Sequence, residues 1–382
     1  MTPSVLWVTP RADPAQRAGG DIRTIQLIKA LSENLPVDVL VVGDPEVDSS
    51  RLQQVTGCRS ARWLPGQAGV RARLLAIRHG WPLAVARSWS AEAQRVVEGR
   101  PHDVLVADFI QSALYAPERP HVLDLHNAEA ARVAELPAPP QLMRRIEHGW
   151  DRRAMRRWES RAVRAPQAHV VVVSDQDADA LGVPAAVVAN GTGLQPLRAA
   201  PADGTLLFVG SLDYPPNLEA VRWWAEAVWP HVESGRKLTV VGRGGAAALG
   251  RLAGHPALHV VGEVADLIPH LSAASLAVVP LRHGGGSRLK VLEALAWSIP
   301  VLSTSKGVEG LGLAAGSEVV IADEPAGLAR AVDQLMSDHH RRTATAAAGR
   351  AAAERFSWPV VAERLLEVIY ATHSELERVH PR

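Results

Sequence analysis

The stretch VVPLRHGGGSRLKVLEALAWSIPVLSTSKGVEGL, Val278–Leu311, joins two apolar runs through a triple glycine and a helical segment. "LAVVPL" and "PVLSTS" read as strands. Between them, Leu289, Leu292 and Leu295 recur at helical spacing, which predicts a helix from about Ser287 to Trp297 with its leucines toward a sheet. Strand, helix and strand then form one parallel unit with a right-handed crossover, and the helix begins at the carboxyl edge of the sheet. A helix start offers unpaired N–H groups and a positive partial charge, and glycine lets an anion approach the backbone closely. That combination is a phosphate seat. Arg288 and Lys290 add full positive charge. Lys290 and Glu293 are three residues apart and share a helix face, so the carboxylate there can accept both hydroxyls of a ribose carried by the phosphates. The competing reading is a glycine loop followed by an exposed Lys290–Glu293 ion pair. The spacing of a P-loop is absent.

Similar elements fill the rest of the chain. Strand-like runs fall at Ser4–Pro10, Val37–Gly43, Asp103–Phe109, His121–Asn127, His169–Ser174 and Ala186–Asn190. A second set falls at Thr205–Gly210, Leu238–Gly242, Leu258–Gly262, Leu276–Leu281, Pro300–Thr304 and Glu318–Ala322. Most are continuous Val/Leu/Ile, as strands buried on both faces require. Helical segments such as Asp21–Leu35, Leu218–Val232 and Ala326–Ser337 separate many of them. This alternation predicts an α/β protein with two doubly wound parallel-sheet domains. We expect a first domain over residues 1–190, a Gly/Pro-rich linker over 191–204, a second domain over 205–357 and a C-terminal helix from 358 to 382. In such folds ligands sit at the carboxyl ends of the strands, so the residues just after each strand are the candidates.

Composition narrows the function classes. The 382 residues hold 41 Lys+Arg against 40 Asp+Glu, a net charge of +1 that exerts no global pull on nucleic acid. A single cysteine, Cys58, excludes a disulfide framework and a cysteine metal cluster and suits a reducing compartment. The opening MTPSVLWVTPRAD has no basic leader and reads as a strand, and no apolar run approaches bilayer-spanning length. A cytoplasmic protein is expected.

The segment GGGSRLKVLEALAWSIPVLSTSKGVEGL closely resembles the nucleotide-binding segment of GT-B glycosyltransferases, in particular glycosyltransferase family 4. FVGSLDYPPNLEAVRWWAEAVWPHV (Phe208–Val232) resembles the start of the second domain of these enzymes. VVGEVADLIPHLSAASLAVVPLRHGGG resembles the segment around the base. AGGDIRTIQLIKAL resembles the first-domain glycine loop, and VVVVSDQDADAL with VANG the end of that domain. The resemblance implies a GT-B fold whose two Rossmann-like domains face a cleft, with the C-terminal helix returning to the first domain. It implies a retaining transfer from a nucleotide-diphosphate sugar to an acceptor that is a small molecule, a glycan or a lipid-linked compound, with no cofactor and no metal. By position, Glu293 binds the ribose, and Gly286, Ser287, Arg288 and Lys290 hold the diphosphate. Gly262, Glu263 and Val264 frame the base. Gly19 and Gly20 approach the donor from the first domain, and His126 lies near the reacting sugar. Gly210 ends the first strand of the donor domain. Two departures stand out. Gly285 occupies the place of an earlier glutamate, and the loop SLDYPPN lacks the usual basic pair. Arg288, Lys290 and Arg243 are then left to neutralise the leaving diphosphate.

Other patterns compete. VVGRGGAA (Val240–Ala247) followed by Glu263 fits a dinucleotide-binding motif and an NAD(P)-dependent oxidoreductase. A non-catalytic sugar-nucleotide-binding protein is the third reading. Ser174 with its following acids reads as a helix N-cap rather than a metal site. Asp338–Arg342 reads as solvated surface. Arg144–Arg164 holds eight arginines against three acids and reads either as an exposed helix or as a peripheral contact to the inner membrane face.

Overall fold

Strands rich in valine and leucine can lose water from both faces only between layers of helices. In a computed structural model they do so twice. The structure describes residues 2–15, 19–43, 45–99, 102–135, 142–197, 201, 204–284 and 288–379.

The first sheet contains β1 (Val5–Thr9), β2 (Val37–Gly43), β3 (Ser60–Pro65), β4 (Val104–Asp108), β5 (His121–Leu125), β6 (Ala168–Val172) and β7 (Ala186–Val187). Its order is β3-β2-β1-β4-β5-β6-β7, parallel throughout. The second contains β8 (Thr205–Val209), β9 (Leu238–Val241), β10 (Leu258–Gly262), β11 (Ala274–Val279), β12 (Val301–Ser303) and β13 (Val320–Ile321). Its order is β10-β9-β8-β11-β12-β13, again parallel. In each sheet the chain starts centrally, moves outward, returns and moves out the other way. This doubly wound order makes a switch point at β1/β4 and another at β8/β11, where carboxyl ends diverge.

The chain divides into two units. One runs through Asn190 and is completed by the C-terminal helix Trp358–Val379; the other comprises Gly191–Gly284 and Arg288–Ser357. Val361, Ala362, Leu365 and Ile369 of the C-terminal helix share an apolar core with Val5, Val37, Ile25 and Ile28. A buried ion pair also ties the first unit together. Arg23, on the helix Gly19–Ser32, bonds Asp124 of β5 at 2.7 Å and donates to the carbonyls of Val188 and Ala189.

Every strand read from the sequence is present, several trimmed at their ends. The strand Ser60–Pro65 goes beyond the runs read from the sequence, because it lies at the sheet edge with Leu64 alone buried and the rest half-buried or exposed instead of forming an apolar run. Asp338–Arg342 is only partly solvated surface. Asp338 caps the helix His339–Glu354, while Arg342 is buried and donates to the carbonyls of Leu335 and Met336, closing the preceding helix. Helix carbonyls without intrahelical partners attract such a donor.

Leu365 is fully buried, so Leu365→Ala should lower unfolding free energy by about 2–5 kcal/mol through the cavity it leaves. Urea unfolding monitored on the first unit's tryptophans checks this, and an unchanged midpoint would remove the C-terminal helix from that core.

Candidate functional site

At the carboxyl edge of the second sheet, neighbouring strands approach through glycine. A side chain on Gly242 would lie 2.1 Å from the Gly210 carbonyl, and one on Gly244 2.7 Å from Asp213 Oδ1. The Gly242 amide donates to the Gly262 carbonyl at 2.8 Å, which lines up the ends of β8, β9 and β10. Gly210, Gly242 and Gly262 therefore form one backbone ledge. Arg243 extends from this ledge and pairs with Asp213 at 3.0 Å, both exposed. Glu263 is exposed and Val264 half-buried just beyond it.

The helix after β11 runs from Leu289 to Ala296, shorter at its start than expected, with Arg288 at its N-cap. Val291, Leu292, Leu295 and Ala296 are buried, which fixes the opposite face outward. Lys290 lies on that face and does not pair with Glu293. Its ammonium donates to Asn217 Oδ1 at 2.5 Å and sits 4.4 Å from the Phe208 ring centre. Asn217 is oriented by its own donation to the Ser211 carbonyl at 2.8 Å. Gly210 makes room for the pair, since a Cβ there would meet Asn217 Nδ2 at 2.7 Å and Lys290 Nζ at 2.9 Å. Burial, and then the nearby Arg288, push the Lys290 ammonium down to about 7.

Glu293 stands on the same face, with its carboxyl pushed up by burial. Among the described residues it has no hydrogen-bond partner. Arg288 is buried, donates to the Gly284 carbonyl at 3.0 Å, and lies 3.3 Å from Glu309, which also binds Lys306. The exposed ion pair weighed for this helix is therefore not what forms. Gly285, Gly286 and Ser287 lie outside the described residues.

A second cluster occupies the carboxyl edge of the first sheet. His126 is buried after β5, and its Nε2 lies 2.7 Å from Asp108 Oδ1 at the end of β4. Burial alone would raise the Asp108 carboxyl, but His126 and bonds from Thr24 and Thr9 outweigh it and hold the carboxyl below its usual range. An ionised Asp108 assigns the Nε2 proton to the histidine. The ring stacks on Phe109 with centroids 3.7 Å apart. Phe109 has φ 63, a strained region for a non-glycine residue, directly after β4. Gly20 permits this packing, since a Cβ there would lie 2.8 Å from Phe109 Cζ. Gly19 opens the same helix.

Carboxylates also hold the loop after His126. The Ala128 amide donates to Asp177 at 2.9 Å and the Glu129 amide to Glu159 at 2.6 Å. Ser174 is the N-cap expected for its helix, and Asp177 does more than favour the helix dipole, because it reaches across to this loop. Asp108, Asp124 and His126 bring three ligand-type atoms within 4.8 Å, a grouping able to hold a cation. Both carboxylates already have partners, Asp108 in His126, Trp7 and Thr24, and Asp124 in Arg23, so we read the cluster as a hydrogen-bond network.

Sequence reasoning did not find Asn217, Phe208 or Glu309 in the second unit, or Asp108, Phe109 and Glu159 in the first. Only Asn217 carried a signal, its place directly after a Pro-Pro helix start.

Residues 203–338 match the family model described as glycosyl transferases group 1. That match covers about a third of the chain and lies in its second unit. Gly210, Arg243, Gly262, Arg288, Lys290 and Glu293 all fall inside the matched segment. Among curated relatives, the GDP-mannose-dependent monoacylated alpha-(1-6)-phosphatidylinositol monomannoside mannosyltransferase of Corynebacterium glutamicum is 34% identical over 115 residues, 28% of this chain and 30% of the relative. The D-inositol 3-phosphate glycosyltransferase of Kineococcus radiotolerans is 33% identical over 114 residues, 27% of this chain and 26% of the relative. The alignments thus span a minor part of either relative. Among solved structures, sucrose-phosphate synthase from Thermosynechococcus elongatus superposes with a TM-score of 0.72 at 18% identity, covering 97% of this chain and 99% of that one. Anabaena HepE in complex with UDP-glucose gives 0.67 at 15% identity, covering 97% and 100%. These likenesses show the fold, which is GT-B.

The lowered Lys290 ammonium sets a pH signature. A lysine whose folded value lies near 7 binds fewer protons folded than unfolded above that pH, so its destabilising effect is relieved as pH rises. The melting temperature of the native protein, relative to Lys290→Met, should therefore climb between about pH 7 and about pH 9. Parallel curves would refute a buried ammonium lowered by desolvation.

Proposed function

We propose that the protein is a retaining glycosyltransferase that moves a sugar from a nucleotide-diphosphate sugar to an acceptor nucleophile. The observation that carries this reading is the face of the helix Leu289–Ala296. Among the described residues it presents an ammonium bonded to a neutral amide and, one turn on, a carboxyl without a hydrogen-bond partner, inside the segment that matches the glycosyl transferase family. The names of similar proteins support a nucleotide-sugar donor, since they include a GDP-mannose-dependent enzyme and a structure with UDP-glucose.

The chemistry follows from charge. As the glycosidic bond breaks, negative charge grows on the departing diphosphate and positive character on the sugar ring. Lys290, Arg288 and the positive end of their helix stabilise the leaving group most when that charge is greatest, which is where catalysis gains. Phosphate oxygens also supply the anion Lys290 lacks, so donor binding returns the ammonium to its charged state. Glu293 accepts the ribose hydroxyls. The ledge of Gly210, Gly242 and Gly262 lets backbone groups come close to the ligand, with Glu263 and Val264 at the base and Arg243 as a further cation. The stretch Gly285–Ser287 is assigned to the diphosphate on sequence grounds. In the first unit His126, with its Nε2 proton held by Asp108, orients the sugar or acceptor, and Gly19 and Gly20 border it. These side chains supply the positive charge the reaction needs, so the proposal includes no cofactor and no metal. A cytoplasmic setting, where nucleotide sugars and a free buried thiol such as Cys58 coexist, belongs to the same reading.

The glycines of Val240–Ala247 do not call for a dinucleotide. Gly242 and Gly244 are required by close backbone packing on Gly210 and Asp213, which removes the main support for an oxidoreductase.

A thermal-shift screen of UDP, GDP, TDP and ADP should single out one diphosphate, since a ligand bound only by the folded state raises its stability. Glu293→Ala should weaken that nucleotide about tenfold or more while leaving inorganic pyrophosphate unchanged, because charged hydrogen bonds of about 1.5–3 kcal/mol are lost only to the ribose. Equal loss for both ligands would take Glu293 out of the ribose role. Release of nucleoside diphosphate in the presence of acceptor separates an enzyme from a passive binder, and the anomeric coupling of the product tests retention.

A further inference from the structure

The helix Gly69–His79 is turned opposite to ordinary amphipathic packing. It buries Ala72 and Ala76 and exposes its large aliphatic residues, Val70, Leu74 and Ile77, to 68%, 62% and 71%. Those three recur at i, i+4 and i+7 and so share one face. The first turns of the neighbouring helix Leu142–Val163 behave similarly, with Ile146 exposed to 59% and Trp150 to 37%, while Ala154 and Met155 further along are buried. An ion pair between Arg73 and Glu147 at 3.2 Å ties the two helices together. Leu74 and Ile77 lie within four residues of Arg73, and Ile146 and Trp150 within three of Glu147, so the bridge joins the two apolar-bearing stretches.

The surrounding charge has one sign. The two helices hold ten arginines and three acids. The acids are spent within the fold: Glu147 on Arg73, Asp151 on the Leu83 amide at 2.6 Å, and Glu159 on the Glu129 and Ala130 amides. Arg71, Arg78, Arg144, Arg145 and Arg153 stay exposed around the apolar groups. In a chain of net charge +1 this is a local surplus. Among the described residues no helix is long and apolar enough to cross a membrane.

We propose that this paired-helix face docks on an anionic lipid surface, with Leu74, Ile77, Ile146 and Trp150 entering the headgroup layer and the arginines bonding phosphate oxygens. Charge complementarity selects this occupant. Aliphatic residues interspersed with arginines fit an interface where long cationic side chains keep their heads in water and tryptophan sits at headgroup level. A protein partner would instead call for a continuous apolar centre with charge at the rim. The arginine-rich helix noted in the sequence supplies the charge, and the inverted helix Gly69–His79 supplies the insertion the sequence did not show. The inference is independent of the proposed transferase activity.

Sedimentation of the full chain with phosphatidylcholine vesicles, with and without phosphatidylglycerol, tests it. The native protein should bind the anionic vesicles and largely ignore neutral ones, and salt should weaken the binding without abolishing it. Leu74→Ser/Ile77→Ser and Arg144→Glu/Arg145→Glu should each reduce binding about tenfold or more, since both insertion and attraction are needed. All these positions are exposed, and an unchanged melting curve shows each variant is folded. No binding to anionic vesicles, or equal binding by both variants, overturns the proposal. So does a concentration-dependent dimer that Leu74→Ser/Ile77→Ser dissolves, which would make the face a contact between copies.

Discussion

Parallel pairing with right-handed crossovers is the constraint on which everything else rests. It sends all strands of a sheet in one direction, so every chemically useful side chain collects at one edge. In the second sheet, β8 lies between β9 and β11, and the chain leaves it in opposite senses. Gly210 follows β8 at that divergence, with Lys290 and Asn217 beside it. The first sheet repeats the arrangement. β4 and β5 are neighbours, and their ends carry Asp108 and His126.

Within that frame the two clusters use opposite electrostatics. Asp108 and His126 are a satisfied pair, buried and locked by Trp7, Thr24 and Phe109. The arrangement gives a rigid imidazole, and its strain is held in the Phe109 backbone. Lys290 and Glu293 are the reverse. Each is partly buried, neither is paired with an opposite charge among the described residues, and both are shifted toward neutrality. Such unmatched groups destabilise a fold, and a ligand carrying anionic oxygens and hydroxyls offsets that cost.

The surface of the first unit follows the same logic outside any pocket. A helix that buries alanine and exposes leucine and isoleucine gives up hydrophobic stabilisation it could have taken by a simple rotation. The Ala72–Ala76 side permits close approach to the unit, and the aliphatic face is left for something else.

The sequence by itself determined the alternation of strands and helices, the two doubly wound sheets and the placement of cations at a helix start. These are properties of neighbours along the chain: apolar runs, helical spacing and glycine turns. The edge strand Ser60–Pro65 escaped because half of its surface stays wet. Only the tertiary structure decided which partner each charge has. Lys290 could be expected to reach Glu293 three residues away, and it reaches Asn217, 73 residues distant in sequence. His126 finds Asp108 on an adjacent strand, and Arg342 turns inward to close a helix. Spacing along one element limits what a side chain can touch, but packing between elements sets which of those contacts excludes water, and burial makes that contact the stronger one.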